Sequence, residues 1–145
     1  MTRNGILNGL KTLVQNAGFT TIRSTIEPDK HWSEIQSQYW PADGTALAVI
    51  YGGDEEMTGV EKGGATTNRK LTASAYVIVR DNDATNRDTL LSNNIDSVVQ
   101  AVHDNPQLSG NVAHVARAKE VKIVKGDIIL PPYAAGSVNL EIIFN

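Results

Sequence analysis

Apolar positions between residues 3 and 17 fall in a helical rhythm: Ile6, Leu7, Leu10, Leu13, Val14 and Ala17 lie at offsets of 1, 4, 7, 8 and 11. That spacing puts them on one face of a 3.6-residue period, so the segment predicts an amphipathic helix. Gly18 stands where such a helix usually stops. "FTTIRSTI" follows, rich in β-branched residues and closed by Pro28, and predicts a short strand. "TALAVIYGG" is an apolar run bounded by glycines. "NRKLTASAYVIVRD" alternates, with Leu71, Ala73, Ala75, Val77 and Val79 on one face. The two predict an antiparallel pair. A second helical stripe is formed by Leu91, Ile95, Val98, Val99 and Val102. Its helix is expected to begin near "DATNRD", where Thr85 and Asp88 have the spacing of a capping box. "NVAHVARAKEVKIV", "GDIILPP" and "GSVNLEIIFN" complete the chain. The last sets Val138, Leu140, Ile142 and Phe144 against Asn139, Glu141 and Ile143, so at least two strands close the sequence.

The element order is therefore helix, three strands, helix, two strands. Each helix has one apolar stripe and each strand one apolar face. The economical packing lays both amphipathic helices on one face of a mainly antiparallel, mixed sheet, an α+β fold. With 145 residues there is enough chain for one sizeable core, and residues 1–145 read as a single domain. Two stretches resist assignment. "DEEMTGVEKGGATT", residues 54–67, is glycine-rich, charged and too long for a tight hairpin, and is expected to be a mobile connection. "DKHWSEIQSQYWP" holds Trp32, Tyr39 and Trp40 and reads as a structured loop packed on the core.

Composition narrows the function classes. A net charge of -3, from 13 basic and 16 acidic residues spread along the length, offers no footprint for a phosphate backbone. Recognition of nucleic-acid sequence is not expected. Cysteine is absent, which removes thiol nucleophiles, thiolate metal sites and disulfides. No stretch approaches the roughly 18 apolar residues of a membrane span, and "MTRNGILNGL" lacks a signal core, so synthesis in the cytoplasm and no membrane partner are expected.

His103 and Asp104 in "AVHDNPQLSG" follow the end of the buried stripe, and Pro106 and Gly110 suit a helix stop. A histidine there also interacts favourably with the helix dipole. His31, His103 and His114 are dispersed, no close zinc-binding pair occurs, and no G-x-S-x-G marks a nucleophile elbow. "GGDEEMTGVEKGG" lacks the spacing of a phosphate loop, and Asp54, Glu55 and Glu56 would repel phosphate. "DNDATNRD" opens like a calcium loop with Asp81, Asp83 and Thr85. It places Asn86 and Ser92 where the glycine and bidentate glutamate belong. No catalytic residue, cofactor site or metal site is therefore expected.

The arrangement as a whole resembles the tail-terminator and tail-completion proteins of long-tailed bacteriophages, the group that includes the lambda tail terminator. The resemblance rests on the helix ending in "NAGFTTI", the strands around a glycine-rich stretch, the helix closing in "VHDNPQLSGNV" and the final "LPPYAAGSVNLEIIFN". It implies a structural virion protein with helices packed on a sheet. Its subunits would form a ring, typically a hexamer, on the end of the tail tube, stopping polymerisation and presenting a surface to the head. The partners implied are further copies of the chain, the tail tube protein and the head-tail connector. The expected location is the virion tail or neck, assembled in the host cytoplasm. Asp54, Glu55, Glu56, Glu61 and Lys62, with Pro131, Pro132 and Tyr133, are the expected interface residues, because charged loops and interrupted strands suit contacts between subunits. The final strand is expected to end the chain without a polar docking tail. Two alternatives stay open: a head-tail joining or neck protein of the same particle, and a small enzymatic or ligand-binding domain with its site under "HWSEIQSQYW".

Overall fold

The computed structural model describes residues 2–25, 27–28, 41–58, 68–108, 115–125 and 128–144. Its elements are α1 (Arg3–Asn16), β1 (Thr20–Ser24), β2 (Ala46–Thr58), β3 (Asn68–Arg80), α2 (Ala84–Asp104), β4 (Val115–Ile123) and β5 (Tyr133–Phe144). The expected α+β class and element order are both observed.

Helix α1 starts at Thr2, whose hydroxyl accepts the Gly5 N–H at 3.0 Å. This satisfies one of the amide donors that the first helical turn leaves open. It buries Ile6, Leu7, Leu10, Leu13 and Val14, each worth about 1.5–3 kcal/mol when fully removed from water. Ala17, expected in that stripe, is the C-cap and is exposed. Gly18 follows with φ of +108°, a conformation that favours glycine and turns the chain into β1. Helix α2 buries Leu91, Ile95, Val98 and Val102 as expected, while Val99 is half-buried at the margin. Its N-cap is Asp83, not Thr85 as the capping-box spacing suggested. The Asp83 carboxylate accepts the Asn86 N–H at 3.0 Å, and Thr85 already lies inside the first turn.

The five strands lie in the order β1-β2-β3-β5-β4. Only β1 and β2 run parallel; every other pair is antiparallel. Both helices cover one face. There the Leu71 to Val79 series of β3 and the Val138 to Phe144 series of β5 meet the two helical stripes in the main core.

The opposite face corrects the expectation of a single apolar side. At one end, Leu47, Val49, Tyr76 and Ile78 form a second buried cluster with Ile129, Tyr133 and Ala135. Ile129 lies in the connection from β4 to β5, which closes over that end of the sheet. At the other end the same face is polar.

A second correction concerns residues 54–58, expected in a mobile connection. They belong to β2 and pair with β3: Glu55 opposite Leu71, Glu56 opposite Lys70, Met57 opposite Arg69. The register shifts between Gly52 and Glu55, so Gly53 and Asp54 form a bulge. A Cβ on Gly53 would come within 2.9 Å of the Thr72 carbonyl oxygen, so glycine permits this close approach. The charges that gave the segment the look of a loop are matched by basic residues brought from α1 and β3.

Candidate subunit interface

Two ion-pair clusters organise the polar end of the sheet. On the helix side, Glu55 accepts from Arg3 at 3.2 Å and from both Nε and Nη2 of Arg69, at 3.1 and 2.6 Å. Arg3 also donates to the Gly52 carbonyl at 2.9 Å, tying the start of α1 to β2 just beyond the end of its pairing with β1. The Arg69 guanidinium lies 4.6 Å from the Phe144 ring centre, which holds the fork in place from β5.

On the side opposite α1 and α2 the centre is Glu141, 6% exposed in mid-strand β5. Arg117 of β4 contacts it at 2.9 Å, and Lys70 of β3 and Lys119 of β4 each at 3.4 Å. One buried carboxylate is thus shared by three cations from the two flanking strands. Beside it, the Ser74 hydroxyl donates to Asn139 Oδ1 at 2.8 Å, and Asn139 Nδ2 donates to Glu120 at 3.2 Å.

Burial pushes the carboxyls of Glu55 and Glu141 up. For Glu55 this is outweighed by hydrogen bonds and charge from Arg69 and Arg3; for Glu141, by Arg117 and Lys70. Both end below the usual glutamate value of 4.5. Each therefore carries its charge at neutral pH and is a weak base, suited to holding strands together. An open concavity of about 680 Å³ lies over this face, lined by Tyr51, Asp54, Ser74, Lys119, Asn139 and Glu141 among others. Among the described residues no group of three or more His, Asp and Glu side chains could hold a metal ion.

The sheet has unfinished edges. Among the described residues, strand β4 pairs with β5 as its one neighbouring strand, while its Ala116 N–H donates to the Pro106 carbonyl at 2.7 Å, and β2 is paired with β1 from Leu47 to Tyr51. Among the described residues, β4 from Arg117 to Ile123 and the Glu55 to Thr58 end of β2 are each paired on one side. Large apolar side chains are exposed beside them: Met57 at 60% on β2, Ile123 at 60% and Val121 at 45% on β4, with Ile128 and Leu130 in the next connection.

The expected interface residues divide accordingly. Asp54 and Glu56 are exposed on the open part of β2, whereas Glu55 turns to the helix side and is held by its two arginines. Glu61 and Lys62 lie outside the described residues, as do His31, His114 and the Trp32, Tyr39 and Trp40 group. Pro131 is exposed and joined to Pro132 by a cis peptide. Tyr133 is buried in the second core with Arg80 over its ring, so its side chain offers little outer surface. His103 is exposed in the last turn of α2 and Asp104 accepts from Gln100, which fits the helix-end reading.

Arg117, Lys119, Val121, Ile123 and Glu141 are not among the interface residues expected from the sequence. A signal for the first four was present: "VARAKEVKI" mixes bases with apolar residues, the pattern of a protected edge strand. Glu141 gave none, since an acid at an outward position of a strand reads as solvated. The chain matches no protein-family model and no curated protein.

Proposed function

We propose that the chain is a structural subunit that assembles as a ring on the end of a phage tail tube, stops tube polymerisation and provides the surface to which the head joins. One observation supports this reading most. Among the described residues, the edge strand β4 is open on one side from Arg117 to Ile123 and carries the exposed Val121 and Ile123, with the exposed Ile128 and Leu130 in the next connection. Unpaired strand backbone beside exposed apolar side chains favours association with another chain. The α+β architecture with both helices on one face agrees with what the resemblance implies, and Glu55 and Glu141 act as rivets that keep the subunit rigid. In the ring the partners are further copies of the chain, with the tube protein on one side and the head-tail connector on the other.

The test is electron microscopy of particles from a producing strain in which this chain alone is deleted. Headless tails of irregular, excessive length are the expected result. Tails of normal length would overturn the terminator role and move the subunit to the neck, where head joining occurs.

A further inference from the structure

The charges on the face opposite α1 and α2 form a row. Glu56 of β2 stands 4.0 Å from Lys70 of β3, Lys70 stands 3.4 Å from Glu141 of β5, and Glu141 stands 2.9 Å from Arg117 of β4. Acid, base, acid, base thus cross four strands in sheet order. The row begins with an exposed acid on the open part of β2 and ends with an exposed base, Arg117, where the β4 edge opens beyond the Ala116–Pro106 hydrogen bond. Neither terminal charge is matched on its outer side among the described residues.

We infer that the open stretch of β2 around Asp54 and Glu56 in one copy of this chain docks against the β4 edge of the next from Arg117 onward, setting Glu56 beside Arg117 so that the alternating charge row continues from subunit to subunit. Strand directions allow it. From β2 through β3 and β5 to β4 every neighbour is antiparallel, so β2 and β4 of one chain run in opposite senses. A second copy placed alongside in the same orientation presents its β2 antiparallel to the first copy's β4. The contact is therefore head to tail, the heterologous kind that closes into a ring when its rotation permits.

Charge also selects against the simpler alternative. Pairing β4 with β4 about a two-fold axis would bring together two edges that each carry Arg117, Lys119 and Lys122 against the single acid Glu120. Like charges opposed across strands are destabilising. The open part of β2 offers Asp54 and Glu56 instead, while Arg3 and Arg69 are engaged by Glu55 on the helix side. Met57 on the one edge and the apolar residues of β4 on the other add surface for burial.

This inference names the contact within the ring reading and rests on that reading only for ring closure. The absence of cysteine makes its test direct. Within one chain Glu56 and Arg117 are separated by two intervening strands, about 14 Å at the usual strand spacing, which is beyond the reach of a disulfide. The double variant Glu56→Cys/Arg117→Cys, oxidised and run without reductant, should give a ladder of covalent multimers, and each single variant should stay a monomer on the same gel. Asp54→Cys/Lys119→Cys serves as the second pair should Arg117→Cys fail to melt cooperatively. Sedimentation of Glu56→Arg, a change at an exposed position, should show association weakened by about tenfold or more.

Efficient dimers from a single-cysteine variant would replace the head-to-tail contact with a two-fold one and overturn the inference. A wild-type oligomer that neither pair cross-links and Glu56→Arg leaves intact would overturn this contact while leaving the ring standing. A wild type that sediments as a monomer at every concentration, with no ladder from either pair, would overturn the contact as well. The terminator role would then still be judged separately, by the length of tails in the deletion strain.

Discussion

Leu140 and Glu141 are consecutive in β5, both nearly inaccessible, and face opposite sides of the same sheet. Leu140 is held by packing against the two-helix core, where burial is favourable without any partner being specified. Glu141 is buried by neighbours that must bring charge with them, and three cations from two strands do so. The helix side of the sheet therefore depends mainly on volume and pattern, while the other side depends on which residues sit opposite one another. A two-residue register slip would keep apolar residues toward the helices but carry Glu141 away from its cations. The charged face fixes strand register; the apolar face supplies most of the stability.

The comparison breaks most severely at Leu140. Leu140→Asp puts a lone carboxylate into the helix-side core, costs several kcal/mol and should leave no cooperative melt, read by circular dichroism. A soluble variant that melts cooperatively would mean that the packing side tolerates charge as the other side does. Next is Glu141→Leu, similar in bulk but without charge. It leaves Lys70, Arg117 and Lys119 clustered, and since these remain partly in water the loss should be about 1–3 kcal/mol in denaturant unfolding. High salt should shrink that loss, whereas it should not rescue Leu140→Asp.

Acid provides a reversible version of the same contrast. Glu55 and Glu141 have folded pKa values below the ordinary 4.5, so the stability they contribute is fully present above about pH 4.5. It is lost as the pH falls through their lower folded values, because the unfolded chain then binds protons more readily. The denaturation midpoint should therefore drop below pH 4.5 more steeply for the wild type than for Glu55→Gln/Glu141→Gln. Equal slopes would mean that the two rivets contribute nothing to the acid limit.

The smallest effect concerns the start of α2. Asp83→Ala should cost about 1 kcal/mol in thermal or chemical unfolding, and Thr85→Ala should change stability by no more than about a few tenths. The reverse ranking would restore the capping box that the sequence spacing suggested.

The helices and the core-facing strand positions were legible in the sequence because their periods, 3.6 and 2, are imposed by backbone geometry whatever the tertiary context. The stripe of α1 up to Val14, the buried face of β3 and the alternation of β5 all follow from that. Part of the candidate interface was also legible: Asp54 and Glu56 stand out as an acidic cluster beside glycines. Their setting was not, because local composition cannot reveal that a charged, glycine-containing segment is stitched into a sheet by arginines 14 residues onward and 52 residues earlier. The burial of Tyr133 was not legible for the same kind of reason, since only the folding of the β4 to β5 connection across the sheet covers its ring.

Sequence alone therefore determined the element types, the buried stripes and the α+β class, all consequences of local periodicity and the burial of apolar surface. Tertiary structure alone decided the strand order, the second core, the burial of Glu141 and the acid-to-base row that runs between two open edges. These depend on which distant residues become neighbours across strands, and an ion pair 24 or 71 positions apart, such as Arg117 or Lys70 with Glu141, leaves no periodic trace in the chain.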